Sequence, residues 1–529
     1  QYHEGSGAGQ ATTTLEQAVA AGGPFADIVN ETSPEVDAIF TGHTHQLYAW
    51  NAPIPGREGT RPIVQTGNYG ENVGQIVLNV DADGHVVSSS ARNVARAGGK
   101  DAAVNAALDA ELIRTYPRVA KVDSIVKAAR AQADIVGRQP VGSVTADITT
   151  AFSGGSYVDG VYAGGTRGDR TKQSALGGLV ADALLDSLDD SDRGGAEVSF
   201  VNAGGLRDEL LYDANGEITL AEANAVLPFL NNLWTTTLTG DQVRQVLEQQ
   251  WGDFAKRTDN ANLSLGVSEN LRYTYDATLP AGQRITGVWI DGVPVDPAKG
   301  YRVGSFNFLL GGGDSFSVFA KGTDTRDSGL IDRDAWIDYL KKNPGLTPDF
   351  TARGVQVSGA RAAAPGTELT VTVSNLDLTS LGAPANTTLD ASFGAETVSP
   401  RATARTMALA APSARIAALA APAATSVAVV DGSATVTVGV PADAVGTLQL
   451  RLTAQPTGTA VVVPVQVTAA GDGAGAPGAG VGQAQNGSGR GSLPTTGADT
   501  TWMGAGVLAA LALLGLGLVV RRRATRRAD

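Results

Sequence analysis

The hydrophobic period of this 529-residue chain changes along its length, and no single uniform fold accommodates that. The apolar positions Val119, Val122, Ile125, Val126, Ala129 and Ala133 recur every three or four residues, which marks one face of a helix. From Leu369 the period drops to two, in Leu369-Thr370-Val371-Thr372-Val373 and in Val427, Val429, Val436, Val438 and Val440 about Asp431-Gly432. Alternation about a turn signal predicts antiparallel hairpins. The predicted fold is therefore α+β and multidomain. Short strands at Asp37–Phe40, Pro62–Gln65 and Gln75–Val80 make residues 1–97 part of an α/β sandwich. Residues 98–140 form a helical linker, 141–354 an α+β domain and 355–468 an Ig-like β-sandwich interrupted by an Ala-rich stretch near 402–425. In the α+β domain, Thr239-Gly240-Asp241-Gln242 has the form of a capping box, followed by Val243, Val246, Leu247 and Trp251 on one helical face. The Gly/Ala-rich residues 469–492 read as a linker without a core.

Formal charge is −13, and near −16 once the five Arg and two Asp of Gly497–Asp529 are set aside. Such a surface repels polyanions, so polymeric nucleic acid is excluded as a partner, while a small anion can still be held by one or two local arginines. The chain has no Cys, which removes disulfides, zinc–thiolate sites and a thiol nucleophile together.

Residues 493–529 carry an address. Leu493-Pro494-Thr495-Thr496-Gly497 precedes nineteen apolar or small residues, Trp502 to Val520, and then Arg521, Arg522, Arg523, Arg526 and Arg527. That run is long enough to span a bilayer as a transmembrane helix with the arginines on the cytoplasmic side. The order resembles the sortase sorting signal of Gram-positive surface proteins. The resemblance implies transient membrane insertion, cleavage between Thr496 and Gly497, and attachment to peptidoglycan in the cell wall, with 469–492 as the wall-spanning linker.

Three of the four His, namely His3, His43 and His45, fall within the first 45 residues, and two are spaced His-Thr-His after a predicted strand and Gly42. Imidazole is a common ligand for borderline divalent metals, and alternate residues leaving a strand can turn toward one ion. Tyr2-His3-Glu4-Gly5 and Gly42-His43-Thr44-His45 resemble the last two metal-ligand motifs of the calcineurin-like metallophosphatases of the 5′-nucleotidase family. The resemblance implies that His3, His43 and His45 are ligands of a centre of two divalent ions, Zn, Mn or similar. The family's earlier Asp-x-His and Gly-Asn-His motifs, with the catalytic His, do not occur ahead of these residues and are expected N-terminal to Gln1. The chain is therefore expected to be an N-terminally truncated piece, inactive alone, with no catalytic residue of its own.

The substrate half of the resemblance is fuller. Asn202-Ala203-Gly204-Gly205-Leu206-Arg207 follows a strand at Val198–Val201 and is similar to the family's Asn-x-Gly-Gly-Ile-Arg loop. Glycine lets backbone approach a ligand, and arginine offers a fork of donors to phosphate. Leu227-Pro228-Phe229-Leu230-Asn231 and Asn307-Phe308-Leu309-Leu310-Gly311-Gly312-Gly313-Asp314-Ser315-Phe316 resemble two further family motifs, with Ser315 in place of the usual Gly. By that likeness Phe229 and Phe308 clamp the base, Asp314 binds the ribose hydroxyls, and Asn202, Arg207 and Asn231 complete the substrate shell. Arg170, ahead of Ala175–Asp182, is assigned to phosphate or ribose, with Arg167 and Lys172 as neighbouring competitors. The implied protein is an extracellular metal-dependent 5′-nucleotidase acting on nucleotides, whose 141–354 substrate domain moves on the linker helix. The alternatives are a 2′,3′-cyclic-nucleotide phosphodiesterase with 3′-nucleotidase activity, a UDP-sugar hydrolase, or a non-catalytic nucleoside-binding surface protein.

Overall fold

The computed structural model describes residues 2, 5–6, 14–99, 101–213, 215–252, 262–394 and 425–468. The described residues fall in one compact unit, bounded by 1–471. Gln1, His3, the pentapeptide with Thr496 and Gly497, the apolar run 502–520 and the linker 469–492 lie outside the described residues. The structure therefore does not bear on the catalytic motifs expected N-terminal to Gln1. Among the residues described, no helix is long and apolar enough to cross a membrane.

The first layer is a small three-stranded sheet in the order Ile39–Phe40, Thr60–Thr66, Leu47–Pro53. Phe25, Ile28 and Val29 of the helix Pro24–Glu31 pack on it against Ile39, Tyr48 and Ile63. Buried Arg61 donates to the carbonyls of Thr32, Ser33 and Val36, at 2.9, 2.7 and 3.1 Å. These oxygens lie just past the end of that helix, so one guanidinium satisfies carbonyls that would otherwise be stranded. A long hairpin follows, Asn72–Val80 against Val86–Ala95. Its Asp81-to-His85 turn is closed by Asp81 Oδ1, which accepts the N–H groups of Asp83 and His85 at 3.0 and 2.8 Å.

The helix expected from the spacing at 119–133 is present as Pro117–Gly137, started by Pro at its first turn. Its apolar face is not buried, however: Val122, Ile125 and Val126 are exposed.

In the second domain a five-stranded sheet runs in the order Leu265–Val267, Val198–Asn202, Gly300–Phe306, Asn232–Thr239, Thr323–Ile331. Val198–Asn202 is buried at every position and lies parallel to Gly300–Phe306. A strand covered on both faces has no side turned to solvent, so even its polar Ser199 and Asn202 are buried, the Ser199 hydroxyl donating to Ala181 O. The Thr239–Gln242 capping box forms, and Val243, Val246 and Leu247 are fully buried. The helix ends at Glu248, so Trp251 sits on a following 3-10 turn rather than on the helical face.

Beyond Gly354 lies a β-sandwich whose two sheets bury one common core, including Val355, Leu369, Val371, Val436, Leu450 and Val463. The hairpin expected about Asp431-Gly432 is corrected by the structure. The turn exists: Asp431 and Gly432 have φ of 49° and 67°, and Val430 and Ser433 exchange hydrogen bonds of 2.9 and 3.0 Å. Its two arms part, however. Thr425–Ala428 joins Thr388–Gly394 in the five-stranded sheet, and Ala434–Gly439 joins Glu368–Ser374 in the six-stranded one. Alternation reports that one face is buried, and both inner faces of a sandwich satisfy it equally, so it does not choose the partner strand. The six-stranded sheet also crosses the boundary expected at 354. Leu271–Tyr275 of the second domain pairs in parallel with Gly354–Gly359.

Candidate functional site

Asn202 closes the buried strand Val198–Asn202, and the chain then makes a 3-10 turn over Ala203–Gly205. Opposite it stands the turn Gly313–Ser315, where Asp314 and Ser315 are both left-handed, with φ of 52° and 66°. Two such non-glycine residues in succession store strain, a feature concentrated at binding sites. Asn202 Nδ2 donates to Asp314 Oδ2 at 2.6 Å, while buried Asn202 Oδ1 has no protein partner among the described residues. A Cβ on Gly204 would lie 3.4 Å from Asp314 Oδ2 and 3.6 Å from both Arg170 Nη1 and Asn202 Nδ2. Asp314, Arg170 and Asn202 thus converge on the space that a glycine leaves open.

Electrostatics separate the competing cations. Arg167 Nε is bound to buried Glu209 at 2.9 Å, and that carboxylate also accepts the N–H and hydroxyl of Thr150. Lys172 Nζ faces Asp169 at 3.9 Å. The exposed Arg170 side chain makes no ion pair or hydrogen bond with any described residue, so it has donors to give to a ligand.

Arg207 is anchored from several sides. Its Nη1 donates to Gly204 O at 3.3 Å, its Nη2 to Tyr69 Oη at 3.1 Å, and its Cζ stands 5.6 Å from the centre of the Phe229 ring. Phe229 and Phe308 are 56% and 40% exposed, far from the burial that Phe has in a core. The Phe308 ring rests against Gly313, where an added Cβ would meet its atoms at 2.5–2.7 Å. Asn231 is placed differently from the rest. Its amide donates to the buried Asp332 carboxylate at 2.9 Å, and its carbonyl accepts the Asp332 N–H. That pair ties the Phe229 loop to the start of the helix Asp332–Lys342. Burial pushes the Asp332 carboxyl up.

The histidine loop faces the same region. His43 and His45 are exposed and left-handed, with φ of 70° and 59°. Buried Gln65 holds the loop, donating to Gly42 O at 2.8 Å and to Thr44 Oγ1 at 2.9 Å. A Cβ on Gly5 would strike Gln65 and Thr44 at 2.6–2.7 Å, so glycine there keeps the loop in place. The His45 ring meets Tyr69 edge-on at 6.0 Å. Its pKa is held down by burial and then by Arg207, Arg170 and His43, which places those arginines within electrostatic reach of the loop.

His45 Nδ1 and Asn68 Nδ2 are 3.2 Å apart. Ligation through Nε2 calls for that amide turned end for end, its oxygen accepting from Nδ1–H. The donor set of His43 and His45 then suits a borderline divalent ion. The one cluster of three metal-capable groups among the described residues, Asp81, Asp83 and His85, lies apart, in the hairpin turn that Asp81 already closes.

Gln65 and Tyr69 carry no motif and escaped the sequence reading. The Gly-x-Tyr-Gly turn after a strand was the one visible signal for Tyr69.

Residues 147–321 match the family described as 5′-nucleotidase, C-terminal domain. The chain is 27% identical over 312 residues to the trifunctional nucleotide phosphoesterase protein YfkN of Bacillus subtilis, covering 58% of this chain and 19% of that protein. It is 26% identical over 343 residues to the cell wall protein Lmo0130 of Listeria monocytogenes, covering 61% and 38%. The chain thus spans well under half the length of these two relatives. Among solved structures, the 5′-nucleotidase precursor from Thermus thermophilus is similar at 24% identity and a TM-score of 0.35, covering 60% of this chain and 59% of that one. The stretch that holds Arg170, Asn202, Arg207, Phe229, Asn231, Phe308 and Asp314 is the stretch that matches the 5′-nucleotidase C-terminal domain.

Proposed function

We propose that this chain is the substrate-binding part of an extracellular, metal-dependent nucleotide phosphohydrolase that releases nucleoside and phosphate from 5′-nucleotides. The observation that carries the reading is the convergence of Asp314, Arg170 and Asn202 about Gly204, beside two exposed phenylalanines and within reach of His45. Flat aromatic faces bind any base without reading its edges. The Asp314 carboxylate has acceptor capacity for ribose hydroxyls beyond its bond to Asn202. Arg170 and Arg207 supply planar donors to an anionic group. His43 and His45 hold divalent metal, together with His3 by family likeness. Such ions supply positive charge that polarises a phosphoryl oxygen and lowers the pKa of water.

A broader ester range is favoured by one observation, the naming of a relative as a trifunctional nucleotide phosphoesterase. On that reading 2′,3′-cyclic and 3′-nucleotides, or UDP-sugars, are substrates as well. We also propose presentation on the cell wall through Leu493–Gly497, with cleavage after Thr496; similarity to a Listeria cell wall protein supports it. The deciding measurement is phosphate release from a panel of 5′-, 3′- and cyclic nucleotides by the full-length protein, with and without chelator. Chelator-sensitive release from 5′-nucleotides is expected. Nucleoside binding without any turnover would make the protein a binding module instead.

A further inference from the structure

Tyr69 is not part of the core of its own layer. It lies in the Gly67–Gly70 turn, which is closed by Glu71 N–H on Asn68 O at 3.1 Å, and it is itself left-handed with φ of 50°. The side chain is 76% exposed, so it adds little to a core. Its contacts point across to the second domain and to the histidine loop: Oη accepts from Arg207 Nη2 at 3.1 Å, and the ring meets His45 edge-on at 6.0 Å. A bulky aromatic held outward in a strained conformation calls for a use beyond the turn.

We propose that Tyr69 is a positioning residue for the phosphoryl end of the substrate, acting through Arg207; this rests on the nucleotide-binding reading above. Next to the pair is a cavity of about 180 Å³ lined by Tyr69, Thr150, Arg167, Arg170, Lys172 and Arg207, with Asp169 as its single carboxylate. Arg167 is already matched by Glu209 and Lys172 by Asp169, so Arg170 and Arg207 are the two cations left to face a small anion there. Of the five N–H donors of Arg207, one goes to Gly204 O and one to Tyr69 Oη. The remaining donors are thereby aimed rather than free to rotate. Fixing a guanidinium in advance spares the rotamer entropy that a ligand would otherwise have to overcome. Because the hydroxyl comes from the layer that carries His43 and His45, it also ties the direction of Arg207 to the histidine loop. The base and ribose, held by Phe229, Phe308 and Asp314, do not depend on this hydroxyl.

The test is isothermal titration of the full chain with AMP and with adenosine, comparing wild type, Tyr69→Phe, Arg207→Ala and the double variant. Tyr69→Phe keeps the ring against His45 and removes only the hydroxyl. It is expected to weaken AMP roughly tenfold, the scale of one hydrogen bond to a charged group, while adenosine affinity stays unchanged. In the Arg207→Ala background the same substitution is expected to have no further effect on AMP. An unchanged AMP affinity, an equal loss for AMP and adenosine, or an undiminished effect in the Arg207→Ala background overturns the role of Tyr69 and leaves the nucleoside site standing. Failure of wild type to bind adenosine at all removes the nucleotide-binding reading, and the inference with it.

Discussion

At the scale of single residues, the site is a set of side chains kept apart from the core by small neighbours. Gly204 is the clearest case, because a methyl group there would sit at ordinary contact distance, 3.4–3.6 Å, from Asp314, Arg170 and Asn202. Gly204→Ala should therefore leave the thermal midpoint unchanged and weaken adenosine binding about tenfold, since the methyl takes the volume a ligand must enter; unaltered binding by titration would place the ligand elsewhere. Phe308→Ala removes a 40% exposed ring, so folding should be nearly unaffected. Base stacking is worth about 1–3 kcal/mol per base. Adenosine affinity should accordingly fall roughly ten- to a hundredfold, and binding of inorganic phosphate should not change. Equal loss of both ligands would assign Phe308 to the core. Asn202 and Asp314 stand out in sequence because each sits in a glycine-rich loop, whereas Arg170 is told from Arg167 and Lys172 only by the ion pairs that those two make in the fold. Asn231 was legible only as part of a motif, and its amide turns to Asp332, a partner 101 positions away that no local pattern announces. Gln65 was invisible for the same reason: a buried amide that holds a loop looks like any strand residue until the loop is seen.

Between elements, one buried charge pair joins the helix Ala175–Leu188 to Arg353, the residue that leads into the strand Gly354–Gly359. Arg353 grips Asp182 with two nitrogens at 2.8 and 2.7 Å and also donates to the Gly178 and Val267 carbonyls. Gly178 is required there, since a Cβ would come within 2.9 Å of the guanidinium carbon. Asp182→Asn leaves buried Arg353 with only the half-exposed Asp349 carboxylate, at 3.3 Å, as counter-charge and should cost about 3 kcal/mol in urea denaturation. The exposed pair Lys342–Asp186, equally short at 2.7 Å, gives the contrast. Lys342→Ala should cost about 0.2–1 kcal/mol, because solvent already screens it. Comparable losses in the two variants would show that burial is not what makes the Arg353 pair matter. Periodicity announced elements such as the helix Pro117–Gly137 and the strands of the sandwich. It left open which strand meets which, as the parting arms of the Asp431-Gly432 turn show.

On the scale of the whole molecule, the sandwich supports the substrate site rather than trailing behind it. Ser380 of the sandwich, fully buried, donates to Thr149 O and accepts the Ala175 N–H, both at 3.0 Å. That hydroxyl braces the start of the helix Ala175–Leu188. Phe152 N–H bonds to Thr379 O at 2.9 Å, and Ala151 O in turn accepts from Gly168 and Asp169, next to Arg170. The loop that presents Arg170 therefore hangs on Thr149–Phe152, and Thr149–Phe152 hangs on residues 379–381. The parallel pairing of Leu271–Tyr275 with Gly354–Gly359 continues the same dependence through the sheet. Composition changes sharply near 354, which makes the segment beyond it read as a separate module, and pairing across so many residues leaves no local trace. Residues 141–354 produced alone should consequently lack a cooperative thermal transition and bind no adenosine. Residues 141–468 should unfold cooperatively and retain that binding, because they keep Ser380, the shared sheet and the common core of Val355, Val371 and Val436. If the shorter piece unfolds with the midpoint of the longer one and binds adenosine equally well, the sandwich is an independent module and the bracing contacts are incidental.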